Sequence, residues 1–391
     1  MTRPGGATYD ALVAGAGPAG SHLAYLLARA GRRVALIDKA RFPRDKVCGG
    51  GLSRKSVAQL GLDLAPVAHR WLTGAFLTFR NRITIVKDVV PAAGCTVMRA
   101  EFDQLLLERA RAAGAEFFPE AAFVDAELHA GEVIATTRRG TFRAQRLYGA
   151  DGAGSGVRAS LFGRNVVSYV PALEALIQAP DASWHGLEER ALFDFGAMPR
   201  GYGWIFPKSD HLNVGVYSPF GGTALRRHLD AFIDRYPALR SRRVLGYRGF
   251  AIPIGNPAGA FERGPVALVG DAAGLAEAVF GEGIYFALKS AALAADADLA
   301  RARDADAPSY AQRLRRELLP ELRAARWLAR CAFCFPNFAF RHLVCNREMR
   351  DLFAGLISGQ TGYRDCLRKV AVAAPAWLLR APPTRDYFFG L

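Results

Sequence analysis

The sequence predicts a mixed α/β fold, and three observations carry that prediction. A short apolar run, "YDALVA" at residues 9 to 14, feeds directly into the turn "GAGPAG" and then into a helical pattern, "SHLAYLLARAG". Two distant segments repeat this strand, small-residue turn and helix design: "RLYGADGAGSGVR", and "GPVALVGDAAG" with "GEGIYFALKSAALAA" behind it. Beyond about residue 300 the pattern is helical, mixing arginine with large apolar residues. The length of 391 residues suits two or three substructures around a large core, because single cores stop growing at roughly 250 to 300 residues.

The first turn has the order that a dinucleotide site requires. Gly15 permits the tight turn, Gly17 lets the backbone approach a pyrophosphate, and Gly20 allows the helix to lie close on the strand. Ala16, Pro18 and Ala19 complete the turn, and the helix start offers free N–H groups and a positive dipole end to phosphate. The next apolar strand, "RVALID", ends at Asp38. A carboxylate there suits a ribose hydroxyl pair and repels a 2'-phosphate, so FAD or NAD is expected rather than NADP at this position. Later, Asp151 and Gly152 stand at a strand end ahead of Arg158, and Asp271 stands between Gly270 and Gly274. An aspartate so placed can hydrogen-bond a polyol, and a helix starting near Gly283 can aim its dipole at an electron-rich ring.

Bulk properties narrow the class. The composition is 51% hydrophobic and 22% charged with no low-complexity tract, which indicates a folded globular chain. The formal charge is +15, yet only seven of the 51 basic residues are lysine. A basic surface attracts diphosphates, anionic lipid or nucleic acid, but no nucleic-acid recognition motif accompanies the charge, and none is expected as a partner. No apolar run approaches the roughly 20 residues of a membrane span, and the N-terminal segment is too broken by glycine for a signal peptide. A cytoplasmic monomer is expected, with peripheral membrane contact left open.

Six cysteines, at 48, 95, 331, 334, 345 and 366, lack the dense spacing of a disulfide scaffold. Cys331 and Cys334 form a lone CxxC with Cys345 and Cys366 further on; buried free thiols are the expectation, a metal or iron–sulfur site the alternative, and no metal is assigned. The helical end has two readings as well. "APSYAQRLRRELLPELRAARWLARCAFCF" is either a basic amphipathic surface for anionic lipid or a helical lid on a substrate domain, and its arginines could also hold a diphosphate or phospholipid head group.

The stretch "PRGYGWIFPK" places Tyr202, Trp204 and Phe206 at every second position. On a strand these three share one face, with Gly203 and Ile205 on the other. Core packing and an apolar wall for a substrate both fit that pattern.

The three glycine turns together resemble the fingerprints of FAD-dependent enzymes of the p-hydroxybenzoate hydroxylase fold. That resemblance implies a Rossmann-like FAD-binding domain with an inserted antiparallel-sheet substrate domain and a C-terminal helical region. It places Asp271 on the ribityl chain, Gly281, Gly283 and Ile284 at the flavin pyrimidine, and, through "VMRAEFDQLL", Arg99 on the cofactor. The implied boundaries are 1–75, 96–165 and 259–300 for the FAD domain, 76–95 and 166–258 for the substrate domain, and 301–391 for the helices.

Two further stretches resemble the geranylgeranyl reductase family: "FPRDKVCGGGLS", with its cysteine and triple glycine, and the P-x-x-Y-x-W-x-F-P signature at Pro199, Tyr202, Trp204, Phe206 and Pro207. Lys39, Arg44, Cys48, Gly49 and Gly50 thereby join the expected cofactor contacts. One departure stands out: Ala278 replaces a common proline ahead of GEGI, and Phe280 replaces a small polar residue, next to the expected flavin front.

The family implies reduction of isolated double bonds in a geranylgeranyl or related prenyl chain. Such a bond is unpolarised, so hydride addition needs a proton donor, a dry pocket and something to soften positive charge. Cys48 is the expected donor or donor-positioning group, while Tyr202 and Trp204 are the expected cation-stabilising faces. Tyr202, Trp204, Phe206 and Phe280 are the expected substrate contacts. There is no second complete nucleotide unit, so electrons are expected from transiently bound NADPH or NADH, or from ferredoxin. Two other readings remain: a flavin monooxygenase or halogenase, for which Lys87 is the one loosely placed lysine, and a lipid-binding flavoprotein without turnover.

Overall fold

A computed structural model of the chain describes residues 8–379 other than 90–91, 130, 179–185, 240–241 and 257–258. Its larger sheet is built around the first strand, Tyr9–Ala14, which pairs in parallel with Val34–Ile37 on one side and Gly140–Gly149 on the other. Glu116–Phe118 and Val266–Leu268 extend this parallel core outward. Glu132–Thr137 and Phe123–His129 add an antiparallel wing, and Glu262–Arg263 closes the opposite edge.

Leu12, Val13, Val34, Leu36, Leu147, Val266 and Leu268 are fully buried. Strands covered on both faces carry unbroken apolar runs, and each such side chain contributes about 1.5–3 kcal/mol relative to exposure. Helix Pro18–Arg29 packs against both Arg99–Ala112 and Ile284–Arg301, so three segments far apart in sequence meet over the strand ends.

The first turn is tight for a stated steric reason. Gly15 has φ +103°, and a Cβ on Gly20 would lie 1.7 Å from the Gly15 carbonyl oxygen. Helix and strand can therefore approach only with hydrogen at position 20.

A second sheet of seven strands runs Arg243–Pro253, Tyr169–Gln178, Leu212–Tyr217, Tyr202–Pro207, Arg190–Asp194, Gly74–Phe79, Ile83–Asp88. All its pairings are antiparallel except Arg190–Asp194 with Gly74–Phe79. A small three-stranded sheet, Gly51–Ser53, Gly94–Val97 and Ala68–Leu72, links the two. Helices Tyr310–Glu317, Leu319–Cys334, Arg347–Ser358 and Tyr363–Leu379 form the C-terminal region. Among the described residues no helix is long and apolar enough to cross a membrane.

Gly20→Ala should cost about 3 kcal/mol, because a backbone oxygen rather than a flexible side chain blocks the new methyl. Thermal unfolding read by circular dichroism checks this, and an unchanged Tm would mean that the turn relaxes freely.

Candidate active site

One cavity of about 830 Å3 runs from the glycine turns to the second sheet. Of the expected cofactor and substrate contacts, all but Ala16 and Gly20 lie on its wall. Ala16 and Gly20 stand behind that wall. Ala16 is buried and spends its N–H on Asp38 Oδ2 at 2.7 Å, while Gly20 faces the Gly15 carbonyl; both shape the turn without facing the cavity.

The nucleotide end is built as a cradle. A Cβ at Gly17 would meet only the Arg44 guanidinium, at 3.5 Å, so the backbone there is open to a ligand. Asp38 takes Ala16 N–H on one oxygen and Ala40 N–H on the other, which fixes its carboxylate at the strand end. Asp151 accepts Gly156 N–H at 2.7 Å and Val157 N–H at 3.1 Å through Oδ2, and burial raises its pKa. Its Oδ1, also buried, has no hydrogen-bond partner among the described residues. Helix Ile284–Arg301 starts at the cavity, with Gly283 as its cap and Asp271 in the turn before it. Open backbone at a helix start and an orphan carboxylate oxygen fit a dinucleotide with polyol and phosphate groups.

The cationic side of the cavity is interlocked. Arg99, fully buried, makes a two-pronged bond to Asp103 at 2.7 Å for each prong, and Arg44 Nη1 stands 3.0 Å from the same carboxylate. Burial works against the charge on Arg99, but Asp103 and the Cys48 thiol outweigh it and raise its pKa. Lys46 lies 4.0 Å above the Phe250 ring and 3.9 Å from Asp271. Burial and the Arg99 cation lower its pKa.

The expected aromatic wall is present. Tyr202 and Trp204 belong to the large core and Phe206 packs against it, whereas Ile205 points into a separate core with Phe232. Phe193 and Phe280 complete the cluster, their rings 5.9 Å apart and steeply inclined. The Tyr202 hydroxyl donates to the Phe280 carbonyl at 2.6 Å, so this side chain offers the cavity its ring. Glu277 accepts the N–H groups of Val279, Phe280 and Glu282, which folds the loop that carries Phe280.

The triple glycine has a steric cause. A Cβ at Gly49 or Gly51 would press on the Phe206 ring at 3.2 or 3.0 Å, and one at Gly50, with φ +65°, would strike the Val97 oxygen at 2.2 Å. These glycines let the loop lie flat on Trp204 and Phe206. Cys48 is half-buried on the cavity wall, and its sulfur accepts Gly50 N–H at 3.4 Å.

Sequence reasoning missed Lys208, although it closes the quoted stretch. It is buried, and its ammonium donates to the carbonyls of Gly49 and Val97, each at 2.8 Å. Burial pulls its pKa down to about 8, against the opposing charges of Cys48 and Glu174. Glu174, also buried, is pushed up by burial and held down by the Asn213 amide, whose oxygen accepts the Trp204 indole N–H at 2.7 Å. A usable signal existed: in a chain that uses arginine so heavily, a lysine at a strand end marks a place for a compact charge.

One expectation at another site is corrected. Cys331 and Cys334 are exposed rather than buried, while Cys345 and Cys366 are buried. Among the described residues no group of three metal-ligating side chains occurs. Lys87 lines a second, smaller chamber rather than the main cavity and is paired with Asp351 at 2.5 Å.

This fold and site define an FAD-dependent oxidoreductase. An FAD binding domain family model matches residues 8–186. The menaquinone reductase of Mycobacterium tuberculosis is 34% identical over 327 residues, covering 75% of this chain and 78% of that protein. Digeranylgeranylglycerophospholipid reductase 2 of Methanosphaera stadtmanae is 31% identical over 301 residues, covering 72% and 75%. Among solved structures, a geranylgeranyl bacteriochlorophyll reductase-like protein of Thermoplasma acidophilum superposes with a TM-score of 0.71 at 22% identity, covering 95% of this chain and 98% of that one. A flavin-dependent brominase gives 0.73 at 20% identity over 95% and 100%, so the fold is common to several chemistries. The chain belongs to the geranylgeranyl reductase family of FAD-dependent oxidoreductases.

Lys208 gives a pH test with a definite sign. Its folded pKa, about 8, lies below the ordinary lysine value of 10.5, so between these values the unfolded chain binds the extra proton and folding gains stability as pH rises. The stability advantage of wild type over Lys208→Met should therefore widen from pH 7 to pH 10. Calorimetric unfolding of both proteins at the two pH values measures it, and a constant gap would contradict the assignment.

Proposed function

We propose that this protein saturates isolated carbon–carbon double bonds of a prenyl chain by adding a proton and a hydride. The observation that carries the reading is the continuity of one cavity from the nucleotide cradle to an aromatic, largely apolar wall. Reduced FAD, when bound, supplies the hydride. Cys48 donates the proton to the other alkene carbon, and the thiolate left behind faces the charges of Arg99 and Lys208, both of which interact with this sulfur. The rings of Tyr202, Trp204 and Phe206 exclude water and present their faces to positive charge as it develops on the chain. The named relatives act on a quinone and a phospholipid, which supports a prenyl tail on a larger head group as substrate class. NADPH, NADH or ferredoxin is the proposed electron source.

Photoreduction bypasses the electron donor. Anaerobically photoreduced enzyme should reoxidise on addition of a polyprenyl compound, and the product should gain about two mass units per bond. Absence of reoxidation across prenyl alcohols, diphosphates and quinones would overturn the proposal.

Cys48→Ala should keep its FAD and its reaction with oxygen, yet lose about 10²- to 10³-fold in the rate of reoxidation by the prenyl compound. Stopped-flow absorbance of the flavin reads both rates. Unchanged prenyl reoxidation would remove Cys48 from proton transfer, and undiminished cellular function of the variant would favour a carrier role.

A further inference from the structure

Beyond the main cavity lies a second, apolar chamber of about 80 Å3. It shares Phe193, Phe280 and Ile357 with the main cavity, so the two meet at the aromatic cluster. Its far wall is the inner face of the C-terminal segment: Ala332, Phe333, Pro336, Ala339 and Phe340.

The outer face of the same segment is unusual. Trp327 is 55% exposed, Phe335 67% and Phe338 36%, three large aromatic residues within twelve positions. Trp327, Cys331 and Cys334 recur at helical spacing on one exposed stripe of helix Leu319–Cys334, and Phe338 continues it. Scattered single apolar residues on a surface need no explanation, but a clustered aromatic stripe does.

Charge says what covers this face. Between Glu321 and Glu348 the chain has no acidic residue and five arginines, at 323, 326, 330, 341 and 347, all exposed. Arg330 lies 4.9 Å from the centre of the Trp327 ring, so cation and aromatic side chain share one patch. A second copy of this basic chain would bring like charges together. An anionic bilayer instead accepts both components, with aromatic side chains at head-group depth and arginines on lipid phosphates.

We infer that the segment 323–347 docks on an anionic lipid surface and forms the door through which a membrane-borne prenyl chain enters the second chamber and then the cavity. The docking stands on exposure and charge, while the prenyl cargo rests on the proposed reductase function. Phe333 and Phe340 separate bilayer side from chamber side, and the segment is thin enough for one side chain to face each way.

Holoenzyme cosedimentation with vesicles tests the docking. Binding is expected to vesicles of phosphatidylglycerol mixed with phosphatidylcholine, to be weak on phosphatidylcholine alone, and to fall at about 0.5 M salt. The triple variant Arg323→Glu, Arg330→Glu, Arg341→Glu should lower partitioning about tenfold or more, as should Trp327→Ser, Phe335→Ser, Phe338→Ser, with FAD content unchanged in both. Brominated lipid should quench wild-type fluorescence more than that of Trp327→Phe.

With vesicle-embedded prenyl substrate, both triple variants should raise KM while kcat on detergent-dispersed substrate stays unchanged. Equal binding to neutral and anionic vesicles, retained binding in both triple variants, or a dimer by light scattering that the aromatic variant dissociates would overturn the inference. If prenyl reoxidation proceeds in vesicles at wild-type KM in both variants, the door is wrong and the reductase reading stands. If vesicle binding behaves as expected and no prenyl compound reoxidises the flavin, the docking stands and the reductase reading falls.

Discussion

A buried ammonium holds the two halves of the cavity together. Lys208 leaves the end of the aromatic strand and donates to the carbonyls of Gly49 and Val97, which belong to the cysteine loop and to the small linking sheet. Three backbone segments from different parts of the chain thus converge on one charge. Removing a cation from water is costly, and the fall of its pKa to about 8 reflects that cost. The carbonyl dipoles, with Cys48 and Glu174 further out, offset part of it. A compact ammonium with three rotatable donors suits carbonyls that close in from different segments.

The aromatic strand depends on that anchor and uses its two faces differently. Gly203 and Ile205 lie against Phe232 and its core, which ties the strand to the second sheet. On the other face the Trp204 ring lies over Gly215, where a Cβ would come within 2.1 Å of it. Glycine on the neighbouring strand therefore lets the indole lie flat, and Asn213 fixes its N–H. The cysteine loop then settles on Trp204 and Phe206 through its own glycines. Wall and loop are one packed unit, so each limits where the other can be.

Much of this was legible because it is local. The three strand, glycine and helix units announce themselves by spacing, and the structure brings them to one cavity. The alternation of Tyr202, Trp204 and Phe206 correctly gave the shared face. What stayed hidden is what depends on distant partners. Nothing in "CGGG" tells that its glycines answer to rings some 155 positions later, and nothing in "FPK" tells that the lysine turns inward. Nor does the sequence tell that three backbone N–H groups converge on Glu277. The exposure of Cys331 and Cys334 likewise follows from which face of their helix meets the chamber.

The position of Phe280 links the departure in sequence to the shape of the site. The Phe280 ring meets Phe193 and stands at the junction of the cavity and the second chamber. The loop is held from both sides, by Glu277 within and by the hydroxyls of Tyr202 and Tyr217 on the carbonyls of Phe280 and Ala278. Those bonds fix the backbone of the loop and so the point from which the ring projects. It presents an aromatic face where the two spaces meet. An unpolarised alkene gains nothing from a polar neighbour before protonation, but a cation forming on it gains from a ring beside it. In the proposed reaction, a ring beside the developing cation would favour the charged transition state over the neutral ground state, the direction in which catalysis requires binding to differ.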